Sequence, residues 1–163
     1  MFRELFPTRD RISDMEQILE RLQAQVGTEI GVSEWMEITQ ERVDAFADAT
    51  DDHQFIHVDP ERASLTPFGG TIAHGFLTLS LTVTLAGEAD LDVGEPKMAI
   101  NYGLDKVRFP APVPVGSKLR ARVVLQAVRN VTGGIQVNRT VTMEVEGTEK
   151  PAMVAETVTR YYY

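Results

Sequence analysis

The feature that most constrains this chain is a run without charge from Pro67 to Gly87, carrying four Thr, one Ser and one His. Within it, TIAHGFLTLSLTVTLAGE from Thr71 to Glu88 places apolar or small residues on nearly every face of a helix. The spacing predicts one helix of about five turns, which other elements must wrap. Gly69 and Gly70 interrupt the run early and its hydroxyls are frequent, so it makes a poor membrane span.

The wrapping material lies downstream. From Met98 to Tyr163 the stretches LRARVVLQAV, IQVNRTVTMEV and AMVAETVTRYY alternate in character, with turns at Val113 to Gly116, Thr132 to Gly134 and Glu146 to Lys150. These are antiparallel strands, and GTEIGVSEWMEI alternates in the same way. One buried helix followed by long strands predicts an α+β domain in which a curved sheet wraps the helix. Upstream, Ile12, Met15, Ile18, Leu19, Leu22 and Val26 recur at helical spacing, which predicts an amphipathic helix over 9–26 ending at Gly27. Thr39 is placed to cap QERVDAFADAT, which presents Val43, Phe46 and Ala47 on one face. Asp59-Pro60 starts a brief helix, PERASLT, that breaks at Pro67-Phe68-Gly69-Gly70. With 163 residues, 43% of them hydrophobic, the chain is expected to form a single domain over 1–163, residues 1–26 being a helical extension.

Composition narrows the function. Cysteine is absent, which removes disulfides, thiolate metal sites and cysteine nucleophiles. A net charge of −8 argues against nucleic acid or an anionic membrane as partner. MFRELFPTRDRISDMEQ mixes charge throughout and has no signal-peptide pattern, so the expected location is cytoplasmic.

All three histidines, His53, His57 and His74, fall in the span that includes the first turn of the long helix and DDHQFIHVDP, a stretch that fits neither the helix nor the strand period. Asp51 and Asp52 directly precede His53, so one loop supplies carboxylates and imidazoles, the groups suited to proton transfer near neutral pH. A polar loop whose Asp caps a turn and whose His fills a gap reads equally well. His53 and His57 have the two-histidine spacing of a zinc-protease helix, but Gln54 stands where that motif needs glutamate and no periodic helix aims both rings at one ion. No metal is expected. In Ala73-His74-Gly75 the start of the long helix offers unpaired N–H groups and the positive end of its dipole, and Gly75 has no side chain to keep a carbonyl oxygen away. The same residues also fit close helix packing, with His74 hydrogen-bonded in the core. Finally, Lys97, Lys106, Arg108, Lys118, Arg120 and Arg122 stand against Asp105 alone over 97–122, either as a site for a phosphorylated ligand or as a solvated strand face.

Asp52 and His57 with four residues between them, the following HVDPERA, the block PFGGTIAHGFLTLSL, and VRFPAPVPVGSKLR together resemble the MaoC-like dehydratases, or (R)-specific enoyl-CoA hydratases, especially their NodN-like branch. The resemblance covers most of the chain after about Gly27. It implies a hot-dog fold, usually a homodimer, with the helix from about Ala73 as the sausage and the sheet as the bun. It carries the catalytic pair onto Asp52 and His57 and the oxyanion N–H onto Gly75, with Gln54 and His74 in support. Lys97, Lys106 and Arg108 are candidates for binding the substrate. The implied reaction is reversible syn addition of water to a trans-2-enoyl thioester, of CoA or acyl-carrier protein, giving the (R)-3-hydroxyacyl thioester. No metal or redox cofactor is required. The common signature has Gly before the aspartate and Asn-Pro after it, where this chain has Asp51, Gln54 and Phe55. Asp51 could raise the pKa of Asp52 if their carboxylates converge. A hot-dog thioesterase and a non-catalytic acyl-thioester binding subunit are the alternatives. The HGF block favours hydration over the first, and the joint presence of Asp52, His57 and Gly75 argues against the second. Leu79 and Val83 read either as the wall of an acyl tunnel or as ordinary core.

Overall fold

A computed structural model describes residues 9–89 and 91–163; the first eight residues of the expected helical extension, and the Ile12 side chain, lie outside what is described. Among the described residues six strands form one antiparallel sheet. They are β1 (Glu29–Val32), β2 (Met36–Glu37), β3 (Met98–Arg108), β4 (Lys118–Val131), β5 (Gly134–Val145) and β6 (Met153–Tyr162). The order is β1-β4-β5-β6-β3, with β2 also paired to β4.

Period-two patterning explains the long strands. In β4, Leu119, Ala121, Val123 and Leu125 are buried while Arg120 and Arg122 point away. Both arginines share Glu144 of β5, at 2.7 and 2.8 Å, and Arg120 lies over Trp35. They are therefore a paired strand face and not a free anion site. Val131 pairs directly with Gly134, closing the β4–β5 hairpin at Thr132-Gly133. A Cβ at Gly134 would sit 1.9 Å from the Tyr161 carbonyl oxygen, so only glycine allows β5 to start this close to β6.

Helix α1 (Arg9–Gln23) stops before Gly27, earlier than its spacing predicts, and Val26 is exposed. Leu22 enters the core, Ile18 packs on Gly94, and Arg21 bonds Asp92, so the helix grips the loop leading to β3. Thr39 caps α2 (Gln40–Thr50) by accepting the Arg42 N–H, and Asp59 caps α4 (Pro60–Ala63) through Arg62 N–H, as their positions predict. Between them the aperiodic stretch contains an unpredicted single turn, α3 (Phe55–Val58).

The long helix departs from expectation. Thr71 and Ile72 are extended, Ile72 bridging Pro114, and the helix divides into α5 (Gly75–Ser80), α6 (Thr82–Leu85) and a 3₁₀ turn at Ala86–Glu88. The interruption is slight, since Leu81 keeps right-handed helical dihedrals, donates to the Leu77 carbonyl at 3.0 Å and accepts from the Leu85 N–H at 2.9 Å. Thr78, Ser80 and Thr82 donate back to the carbonyls of His74, Phe76 and Leu79, competing with the backbone ladder on both sides of Leu81. Leu77, Leu81 and Leu85 enter the core against the sheet, which is the hot-dog arrangement. The wrapping is incomplete: Phe76 is 70% and Val83 61% exposed, so Val83 is not ordinary core. Strand β3 is exposed along nearly its whole length.

Candidate active site

The site forms where α3 meets the segment entering α5. Ile72 N–H donates to the Ile56 carbonyl at 3.0 Å, and His57 Nδ1 lies 2.7 Å from the Ile72 carbonyl. A carbonyl can only accept, so Nδ1 carries the proton and Nε2 of the neutral ring keeps its lone pair. Gln40 at the start of α2 secures this turn: its Nε2 donates to the His57 carbonyl at 2.8 Å and its Oε1 accepts from the Thr71 hydroxyl at 2.6 Å. Neither Gln40 nor Thr71 was singled out from the sequence. Their one signal is position, since each is a polar residue at the entry to a helix, Gln40 opening α2 and Thr71 shortly preceding α5.

His57 is 6% exposed and His74 2% exposed, and their rings stack with centroids 3.8 Å apart. His74, expected in the first turn of the helix, is instead the residue before it. Its Nε2 donates to the Asp52 carbonyl at 2.9 Å, while its Nδ1 is buried without a partner. Phe46 of α2 packs at a tilt on its ring. Burial, with the neighbouring His74 adding to it, holds the His57 pKa below the ordinary histidine value, against the opposing effects of the Ile72 carbonyl and the Asp52 charge.

A carboxylate oxygen of Asp52 and one ring nitrogen each of His57 and His74 lie within 4.8 Å of one another. Such a trio invites a metal reading, but the ring geometry opposes it. One nitrogen of each imidazole is committed to a carbonyl, and stacked rings 28° apart, whose lone pairs lie in their own planes, are a poor geometry for chelating one ion. The arrangement suits proton transfer. His53 stands apart on the surface, its Nε2 2.9 Å from Asp48, so the zinc-protease spacing does not become a site. The Asp48 hydrogen bond holds the His53 pKa above its ordinary value.

Asp51 ends α2 in the left-handed region at φ 58°, the one non-glycine residue with positive φ among those described. A glycine fits that position without strain, which gives a backbone reason for the glycine of the common signature. Gln54 precedes α3 and is exposed, and its carbonyl accepts the His57 N–H at 2.9 Å.

Beside the pair lies a cavity of about 290 Å³ walled by His57, Gly75, Thr78, Phe68, Phe109 and Pro110 among others. Gly75 is the first residue of α5, so its N–H has no partner within the helix. The Phe109 ring stands 3.3 Å from where a Cβ of Gly75 would be, and edge-on to Phe76. Lys97, Lys106 and Arg108 lie exposed at and along β3, and none of them borders this cavity.

Residues 21–147 match the family model described as MaoC like domain. The chain is 56% identical over 141 residues to 3-hydroxyacyl-thioester dehydratase Z of Mycobacterium tuberculosis, covering 86% of this chain and 93% of that protein. It is 48% identical to Nodulation protein N of Rhizobium leguminosarum bv. viciae, over 83% of this chain and 86% of that one. Among solved structures, the (R)-hydratase from A. caviae involved in PHA biosynthesis superposes with TM-score 0.67 at 29% identity, covering 82% of this chain and 94% of that chain. By sequence, by fold and by the hydratases and dehydratases around it, the chain belongs to the MaoC-like family and is a hydro-lyase.

Proposed function

We propose that the protein is an (R)-specific enoyl-CoA hydratase, catalysing reversible syn addition of water to a trans-2-enoyl thioester. The observation that carries this reading is the tautomer of His57. With Nδ1–H fixed on the Ile72 carbonyl, Nε2 is left as the acceptor of a ring that has a nitrogen within 4.8 Å of an Asp52 carboxylate oxygen. A water held there donates one hydrogen to each.

The thioester carbonyl accepts from the Gly75 N–H. As the water oxygen bonds to C3, Asp52 takes its proton, and the electron pair of the double bond moves to the carbonyl oxygen, where the start of α5 stabilises the enolate. The proton held by the Asp52–His57 pair then passes to C2 on the same face, giving the 3-hydroxyacyl thioester and restoring both groups. The burial that keeps His57 neutral preserves the lone pair this step needs. Elimination is the same path reversed, which agrees with the thioester dehydratase name of the 56% identical relative.

The whole chain acts in this reading as one domain, with residues 1–26 as a helical extension, and its expected compartment is the cytoplasm. No described helix is long and apolar enough to cross a membrane. The working form is a homodimer. Among the described residues β3 leaves the sheet edge unpaired and exposes Met98, Ile100 and Tyr102, with Phe76 beside it, a surface that a second copy covers by pairing edge to edge.

The test is hydration of trans-2-enoyl-CoA, followed as loss of conjugated enoyl absorbance, with Asp52→Asn and His57→Ala beside the wild type. Activity that collapses in both folded variants supports the assignment. Binding of CoA thioesters without hydration in the wild type would overturn it.

A further inference from the structure

The helix face that begins at Gly75 does not end at the site. Leu79, Val83 and Ala86 follow it at spacings of four, four and three, so they lie in line along α5, α6 and the 3₁₀ turn. These three residues form one wall of a second cavity, about 510 Å³, whose other walls come from β3, β5 and β6. From Gly75 to Ala86 the helix path runs about 16 Å, at the usual rise per residue. A chain attached to a thioester at Gly75 and lying on this face therefore reaches the far end of the groove.

One charged side chain lines that groove among the described residues, Arg139 of β5. Its Nη2 donates to the Thr159 hydroxyl at 3.0 Å and its Nη1 to the Ala86 carbonyl at 3.4 Å, while its Nε is buried with no partner. Among the described residues no carboxylate comes within 4.0 Å of it. Asp105 and Glu156 border a polar depression that Arg139 also touches, but Asp105 is turned to Asn138. A half-buried guanidinium with five donors, mostly unused, and no counter-ion is an incomplete site for a planar anion.

We propose that the groove accepts acyl chains carrying a carboxylate at the end remote from the thioester, with Arg139 as the residue that selects for it. The apolar wall of Leu79 and Val83 takes the methylene chain, and the carboxylate completes the hydrogen bonding of the guanidinium beside Ala86 and Thr159. Medium-length chains fit the span, since shorter ones leave Arg139 unreached. The inference rests on the thioester reading of Gly75 given above.

Saturated acyl-CoA thioesters cannot be hydrated and so report binding alone. Their affinities, measured by calorimetry from hexanoyl to dodecanoyl, are compared with those of the ω-carboxylated thioesters of equal carbon number. The wild type is expected to favour the ω-carboxylated partner by about tenfold or more at the best-fitting length, as for a charge-assisted pair. Arg139→Met reverses that preference, and Arg139→Lys, which keeps the charge, retains part of it. Gly103 also lines the groove, and a Cβ there meets no atom within 4 Å, so Gly103→Ala adds a methyl group without a clash and weakens both long tails together. Equal affinity for the two tails in the wild type, or an Arg139→Met variant that loses both equally, overturns the inference. If the wild type hydrates methyl-ended enoyl-CoA without preferring the carboxylate, only this inference falls. If it binds neither thioester, the hydratase reading falls with it.

Discussion

The imidazole of His74 lies against that of His57, with ring centroids 3.8 Å apart and planes 28° apart. This contact joins the start of α5 to the loop carrying Asp52 and His57, because the same His74 ring donates to the Asp52 carbonyl. Replacing His74 with Ala opens that side of His57 to water and frees the carbonyl. The expected result is an acid limb of kcat/KM that moves to higher pH, together with a stability loss of about 2 kcal/mol for the emptied space and the lost hydrogen bond. An unchanged limb in a folded variant would show that His74 fills space and nothing more.

In the wild type, burial lowers the His57 pKa, so between the folded value and the ordinary one near 6.5 the unfolded chain holds the extra proton. The contribution of His57 to stability is therefore complete above about pH 6.5 and fades as pH falls toward and through the folded value. Activity should persist below the pH at which a free histidine protonates. Titration of the His57 ring by NMR, set beside the kcat/KM profile, checks both statements. At lower pH a second loss is expected. The hydrogen bond from Arg122, assisted by Arg120 and opposed by burial, lowers the Glu144 pKa, so its contribution is present above the ordinary carboxylate value and lost below it.

His53 and His57 offer a matched comparison within one short segment. His53 reaches Asp48 on the surface, and His57 faces the cavity. His53→Ala should leave kcat/KM within about twofold, as expected of a surface substitution, whereas His57→Ala should cost about a hundredfold or more. Comparable losses in the two variants would contradict the placement of the site.

Asp51 holds a left-handed backbone at φ 58°. Asp51→Gly relieves that conformation and should raise stability by up to about 1 kcal/mol, while Asp51→Val should lower it by about 1–2 kcal/mol. Thermal melting of the two variants decides, and a destabilised Asp51→Gly would mean that the side chain has a role beyond the turn.

A methyl group at Gly75 would meet the Phe109 ring at 3.3 Å. If the Gly75 N–H holds the thioester oxygen as proposed, Gly75→Ala should displace that ring and crowd the N–H, lowering kcat by about tenfold to a hundredfold, with a melting temperature close to the wild type. Adding Phe109→Ala in the same chain should recover part of the loss, because the ring that blocks adjustment is gone. No recovery would place the defect elsewhere.

How much of the protein was legible can be judged residue by residue. Thr39 and Asp59 announced their helices because a cap is a local event: the side chain bonds an N–H three residues on, whatever surrounds it. The strands were legible because alternation reflects which face meets the core. The interruption at Leu81 is not legible, since whether a hydroxyl bonds back to a carbonyl depends on its rotamer and not on the spacing of apolar residues.

The sequence alone determined the class of fold, through an uncharged helix too apolar to stand in water and strands of period two able to cover it. It also determined the chemical types available for catalysis, by gathering three histidines beside two aspartates. Tertiary structure decided which of these act together. His57 and His74 are seventeen positions apart and met only when Ile72 bonded Ile56, while adjacent Asp52 and His53 parted, one toward the histidine pair and one toward Asp48. It also decided the state of His57, because a tautomer depends on the one carbonyl within reach and a pKa on the depth of burial. Among the described residues it also left Arg139 without a carboxylate within 4.0 Å, for the same reason: no short-range pattern records what lies across a groove.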